Sequence, residues 1–183
     1  MGYMALLKEN IYTTNYIYSL PDGKRAELIN GVIYDMALPN RLHQKIVFQV
    51  SKAIGEYIDK NNGSCEVYPA PFAVFLNNDN KTYVEPDISV ICDPSKLDDR
   101  GCNGAPDWIV EVASNGTKHL DYGIKLFKYR SAGVREYWII NPLTKTVNVF
   151  DFENDEKTDQ FTFEDNIPVC IYDKLTINIS NFL

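Results

Sequence analysis

Two carboxylates, Asp87 and Glu111, stand where carboxylates are costly. Glu111 lies in the apolar run Asp107-Trp108-Ile109-Val110-Glu111-Val112-Ala113, which reads as a buried strand. An ionised side chain there costs several kcal/mol unless a cation or strong hydrogen bonds compensate it. Asp87 lies in a second β-rich run, Tyr83-Val84-Glu85-Pro86-Asp87-Ile88-Ser89-Val90-Ile91. Between the runs, Asp93 to Pro106 carries Pro94, Gly101, Gly104 and Pro106 and reads as a loop. If the strands pair antiparallel around it, residues 87 and 111 have their midpoint at 99, in the loop, and face each other across the ladder. Two facing carboxylates repel unless something positive sits between them. A divalent metal ion is the chemistry that this spacing invites.

The flanking sequence supplies elements to position the pair. Residues 14–20 suggest a short helix capped by Thr13 or Thr14 and ended by Pro21-Asp22-Gly23. Arg25 to Ile29 and Val32 to Met36 flank Asn30-Gly31, a strong hairpin signal because both turn residues tolerate positive φ. A helix is expected from Arg41 to about Lys60, capped by Asn40 and stopped by Gly63, with Leu42, Ile46, Val50, Ala53 and Tyr57 on its apolar stripe. Three strands follow over Glu66–Leu76, Tyr83–Cys92 and Asp107–Ala113. The next helix spans Thr117 to Ala132, with Leu120, Ile124 and Phe127 turned inward and Gly133 as its stop. Val134–Ile140 and Thr146–Phe152 are further strands, and short strands over 161–163, 169–172 and 175–179 end the chain. The expected class is α/β: a core of helix, three strands, helix and strand around a mixed central sheet, with an N-terminal β-hairpin and a C-terminal β extension.

Length and composition bound the function. At 183 residues, 45% apolar and 13% aromatic, the chain reads as one globular domain, with a core over about 25–152 and C-terminal strands over 153–183. No segment approaches the ~20 apolar residues of a membrane span. The N-terminal apolar run Met4 to Leu7 stops at Lys8-Glu9-Asn10, which is not a signal peptide. Cys65, Cys92, Cys102 and Cys170 lack metal-site spacing and read as reduced, mostly buried thiols of a cytoplasmic protein. The net charge of −7 disfavours nucleic acid at first sight, but residues 151–165 hold seven acids and one lysine. The rest, with 17 basic and 18 acidic residues, is near neutral, and the acidic stretch reads as a solvated hairpin.

An ordered series of segments resembles a known family. It comprises Glu27-Leu28-Ile29-Asn30-Gly31, the helix entry from Pro39 to His43-Gln44, and Cys65-Glu66-Val67-Tyr68-Pro69-Ala70-Pro71. It continues with Glu85-Pro86-Asp87-Ile88-Ser89-Val90, Cys92-Asp93-Pro94-Ser95-Lys96-Leu97-Asp98-Asp99 and Gly104-Ala105-Pro106-Asp107. Val110-Glu111-Val112, then Asp121, Lys125 and Tyr129, and Ala132-Gly133-Val134-Arg135-Glu136-Tyr137-Trp138 complete it. The series spans roughly residues 12–152 and resembles the Uma-type family of restriction endonucleases, within the PD-(D/E)XK nuclease superfamily. One departure stands out. The superfamily pattern wants Lys two residues after the Glu, where this chain has Ala113; the matching family position is Lys125, on the following helix.

The resemblance implies a Mg²⁺-dependent (or Mn²⁺-dependent) endonuclease that hydrolyses DNA phosphodiester bonds. Asp87 and Glu111 would hold the ion, with the Val112 carbonyl a third protein ligand. Lys125 would orient or deprotonate the attacking water or stabilise the phosphate; the competing reading is a solvated helix lysine. Glu27 is either an outer ligand or an exposed strand residue. His43 is either a base or phosphate contact or a structural residue near a helix cap, and Asp121 either caps its helix, pairs with Lys125 or joins the chemistry. His119, Asp107 and Glu85 read as structural. Lys118, Lys125, Lys128 and Arg130 against Asp121 give the second helix a local net of +3, suited to phosphates or simply to water. A homodimer would suit cleavage of both strands. The alternative function is a non-catalytic scaffold that keeps the nuclease fold for protein or nucleic-acid binding, supported by Ala113 and the low basicity. Nothing in the sequence separates DNA from RNA.

Overall fold

The computed structural model describes residues 11–77, 79–114, 116, 118–154 and 157–183. The expectations for Met4 to Leu7 and for a helix start at Thr117 lie outside them. A short helix, α1 (Thr14–Tyr18), comes first. Asn30 and Gly31 then take φ of 53° and 80°, the positive pair that a type I′ turn demands. They join β1 (Ala26–Ile29) to β2 (Val32–Asp35), with Ile29 opposite Val32. The helix α2 (Arg41–Lys60) has the expected bounds, and Asn40 accepts the His43 amide at its start. Ile46, Val50, Ile54 and Ile58 bury one face at helical spacing.

The strand expected over Glu66–Leu76 is divided into β3 (Glu66–Pro69) and β4 (Val74–Phe75). Pro69 and Pro71 lack the N–H that a continuing ladder requires. After β5 (Ile88–Ile91), the segment read as a loop contains a short hairpin, β6 (Leu97–Asp98) and β7 (Gly101–Asn103), which pairs with β4. Next come β8 (Trp108–Val112) and a helical stretch in three parts: α3 (Lys118–Leu120), a π-helical turn (Asp121–Lys125) and α4 (Leu126–Ala132). Gly133, at φ 93°, ends it in the left-handed conformation. Then follow β9 (Glu136–Asn141), β10 (Thr146–Asp151) and β11 (Lys157–Thr162). The last strands, β12 (Ile167–Pro168) and β13 (Thr176–Ile177), pair with each other.

Six strands form the central sheet in the order β11-β10-β9-β8-β5-β3. Only the β8–β9 contact is parallel, so the sheet is mixed, as expected. Side chains alternate across it. Trp108, Val110 and Val112 pack with α2 and the C-terminal strands, whereas Ile109 and Ala113 pack with Tyr129 of α4. Glu111 lies between the last two and shares their face. The acidic stretch supplies Asp151 of β10 and all of β11, which pair antiparallel with Asp151 opposite Lys157.

Two expectations fail here. Ile124 and Phe127 are 40% and 71% exposed rather than turned inward. The π turn adds a residue per turn and rotates the helix off the 3.6-residue period assumed for it. Cys65 and Cys92 are not reduced thiols: they lie one step beyond the Glu66–Ile91 pair of the β3–β5 ladder and form a disulfide. Cys102 and Cys170 are free. Among the described residues no helix is long and apolar enough to cross a membrane.

Candidate active site

The β5–β8 ladder pairs Ile88 with Val110, so the next step brings Asp87 beside Glu111, the register read from the sequence. The Val112 amide donates to Asp87 Oδ2 at 2.8 Å, and the Asp87 amide approaches Glu111 Oε2 at 3.4 Å. Val112 thus meets Asp87 through its N–H. At the same oxygen, His43 from the first turn of α2 places Nε2 3.1 Å from Oδ2. The Nδ1 of His43 is buried without a hydrogen-bond partner among the described residues.

Glu111 is turned toward the helix that follows it in sequence. Lys125 Nζ lies 2.9 Å from Glu111 Oε1, 2.8 Å from Glu27 Oε2 and 3.9 Å from Asp121 Oδ1. The Tyr129 hydroxyl donates to Glu111 Oε1 at 2.8 Å. Asp121, Lys125 and Tyr129 recur every four residues, and the π turn carries this line of side chains onto the sheet. At 4% exposure Lys125 is buried and is not a solvated helix lysine. Its burial also removes it from the basic outer face expected of this helix. Glu27 is 2% exposed rather than an open strand residue, and its Oε1 accepts the Glu85 amide at 3.0 Å.

The electrostatics follow from one cation among several acids. Burial pushes the Glu111 carboxyl well above the usual range; Lys125 opposes that shift, while Asp87, Asp121 and Glu27 reinforce it. Burial acts against the Lys125 ammonium, yet Glu111, Glu27 and Asp121 together hold its pKa well above that of an ordinary lysine. The Tyr129 phenol is raised by burial and by Glu111.

All seven residues proposed from the sequence, Glu27, His43, Asp87, Glu111, Val112, Asp121 and Lys125, line one cavity of about 280 Å³. A larger cavity of about 430 Å³, beside the end of α4, contains none of them. Of the residues read as structural, Asp107 accepts the Cys92 amide and pairs with Arg135, and His119 is exposed on α3. Glu85 pairs with Arg25 and accepts from Tyr83, but it also lines the cavity. The bond from Tyr129 to Glu111 was not foreseen. Its only sequence signal is its place, four residues after Lys125.

The donor set suits a hard divalent cation. Among the described residues no group of three His, Cys, Asp or Glu side chains forms a ready metal-binding cluster. Asp87 and Glu111 are hard oxygen donors whose close contacts fall on Oδ2 and Oε1. Such a pair, completed by water, is the sparse protein ligation that Mg²⁺ favours. The surplus of carboxylates over ammonium gives a cation an electrostatic reason to bind.

Comparison with known proteins agrees with this architecture. Residues 14–179 match the Uma2 family, described as "Putative restriction endonuclease". An uncharacterised protein, slr1290, from Synechocystis sp. is 25% identical over 133 residues, 72% of this chain and 68% of that protein. A crystal structure from Anabaena variabilis, described as "a putative nuclease belonging to DUF820", superposes with a TM-score of 0.74 at 20% identity. The match covers 93% of this chain and 96% of the other, which establishes a shared fold.

Proposed function

The chain belongs to the Uma2 family, and we propose that it is a divalent-metal-dependent endonuclease that hydrolyses DNA phosphodiester bonds. One observation carries this reading: Asp87 just before β5, Glu111 of β8 and Lys125 of the π-helical turn converge on one cavity, with Lys125 Nζ 2.9 Å from Glu111. Asp87 and Glu111 are the residues that would hold Mg²⁺ or Mn²⁺, with the Val112 carbonyl as a further candidate. When bound, the ion supplies Lewis-acid stabilisation of a phosphoryl oxygen and acidifies water.

The rest falls to the chain itself. Lys125 is held as an ammonium by Glu27 and Glu111, so it acts as a hydrogen-bond donor and positive charge toward the phosphate rather than as a base. Asp121 and Glu27 fix its position. His43 stands 3.1 Å from Asp87 Oδ2 and orients that carboxylate. The Tyr129 hydroxyl holds Glu111 in the same way. The lysine missing at position 113 is thus supplied from the adjacent helix.

The test is cleavage of plasmid DNA by the purified chain with Mn²⁺. Activity should vanish with chelator, in Asp87→Ala and in Lys125→Met. Persistence of cleavage in Asp87→Ala, or none by the unaltered chain with either metal, overturns the proposal. One observation favours the scaffold reading: Lys125 already bridges Glu27 and Glu111 and neutralises part of the cluster. Mn²⁺ titration separates the two, since a scaffold needs no metal site.

A further inference from the structure

We propose that the substrate reaches this site as an unpaired nucleotide, in a single strand or drawn out of a duplex, and that Leu38 and Leu143 hold the DNA open. The inference rests on the nuclease reading and narrows its substrate. Its first ground is depth. Glu27, Glu111, Asp121 and Lys125 are each 4% exposed or less. A phosphate must enter the cavity to meet them. At about 280 Å³ the cavity falls just below the usual range for a pocket that takes one small molecule, roughly 300–1,000 Å³. It admits one nucleotide, not stacked base pairs.

The second ground is the charge around that cavity. Duplex DNA is held chiefly by Lys and Arg set against its phosphates. Among the described residues that line the cavity, the lysine and arginine present are Lys125 and Arg25. Both are already committed, to Glu27 and Glu111 and to Glu85 respectively. Within the cavity itself this leaves little to grip a paired backbone.

The third ground is what the rim offers instead. Leu38 is 94% exposed and Leu143 69%, and both line the cavity. Both apolar side chains stand in water beside the cavity. Leu38 precedes Pro39, which restricts it to extended backbone, and Asn40 then caps α2. Leu143 is presented by a turn in which Asn141 Oδ1 accepts the Leu143 and Thr144 amides. Apolar side chains so displayed are the wedges that proteins insert between base steps to unstack them. An extruded nucleotide can then reach chemistry that a stacked one cannot.

The experiment compares three labelled oligonucleotides with the full chain and Mn²⁺: a single strand, a matched duplex and the same duplex with a central mismatch bubble. Single-strand and bubble substrates should be cut at least tenfold faster than the matched duplex, at unpaired positions. The Leu38→Ala, Leu143→Ala double variant should lose most of the residual cutting of the matched duplex and much less on the single strand. Equal or faster cleavage of the matched duplex overturns this inference and leaves the nuclease reading standing. Absence of cleavage on all three overturns the nuclease reading instead. Binding then decides the inference separately: 2-aminopurine placed at the centre of the matched duplex should change its fluorescence with the unaltered chain and not with the double variant. An unchanged signal in both overturns it.

Discussion

Lys125 Nζ lies 2.9 Å from Glu111 Oε1, although one residue comes from a π-helical turn and the other from a central strand. Both side chains are buried, and Glu27 closes the bridge at 2.8 Å. A cation so placed compensates two acids at once. Removing one partner of a buried ion pair costs far more than removing an exposed one, because the remaining charge is left without water or counter-charge.

Lys125→Met should therefore weaken the fold as well as any activity. We expect a loss of about 3 kcal/mol in urea unfolding without metal, the scale set by broken buried ion pairs. Added Mn²⁺ should recover part of the loss, since it offers the same carboxylates another cation. Unchanged stability in the variant would mean that the cluster is not held by its lysine.

Asp87→Ala should have a milder structural effect and a sharper functional one. The Asp87 side chain is 18% exposed, and among the described residues it accepts from the Val112 amide and lies beside His43. Isothermal titration should show Mn²⁺ binding by the unaltered chain and none by the variant, with thermal unfolding still cooperative. Equal binding by both proteins would remove Asp87 from the metal site.

How much of this was legible in the sequence depends on the range of the interactions. The Asn30-Gly31 turn, the Asn40 cap and the β5–β8 register are written in local chemistry and in the loop midpoint, and each is where the sequence places it. The facing of Ile124 and Phe127 was misread because a π turn leaves no periodic trace, and here it is stabilised by distant carboxylates that draw Lys125 inward. The reading of Glu27 as an exposed strand residue fails because every residue of β1 is buried, and Glu27 finds its partners at Glu85 and Lys125. Cys65 and Cys92 pair only because β3 lies against β5, a contact that cysteine spacing cannot reveal.

Glu136 offers a pH test away from the cavity. Fully buried, it accepts from Trp138 Nε1 and from the Cys170 and Ile171 amides, which ties the C-terminal segment to the sheet. Burial raises its pKa, and those three donors oppose the rise. A carboxyl raised on folding contributes its stability below its unfolded pKa and loses it as pH rises through the folded value. The stability difference between the unaltered chain and Glu136→Gln should therefore shrink as pH rises above about 4, the unfolded carboxyl value. A difference that grows with pH would show that the three donors outweigh burial.

Tyr129 acts on the site only through Glu111, which makes Tyr129→Phe the cleanest probe of positioning. The substitution keeps the ring that packs against Tyr137 at a centroid distance of 5.0 Å and removes the hydroxyl that donates to Glu111 Oε1 at 2.8 Å. Lost stability should be about 1 kcal/mol, the usual net contribution of one hydrogen bond. Partners that orient metal ligands typically change metal affinity by roughly 10–100-fold when lost. Mn²⁺ binding by Tyr129→Phe should therefore weaken by about tenfold, with cleavage at saturating metal reduced much less. A purely structural tyrosine would lower the melting temperature without moving the metal titration. That outcome would separate Tyr129 from the site.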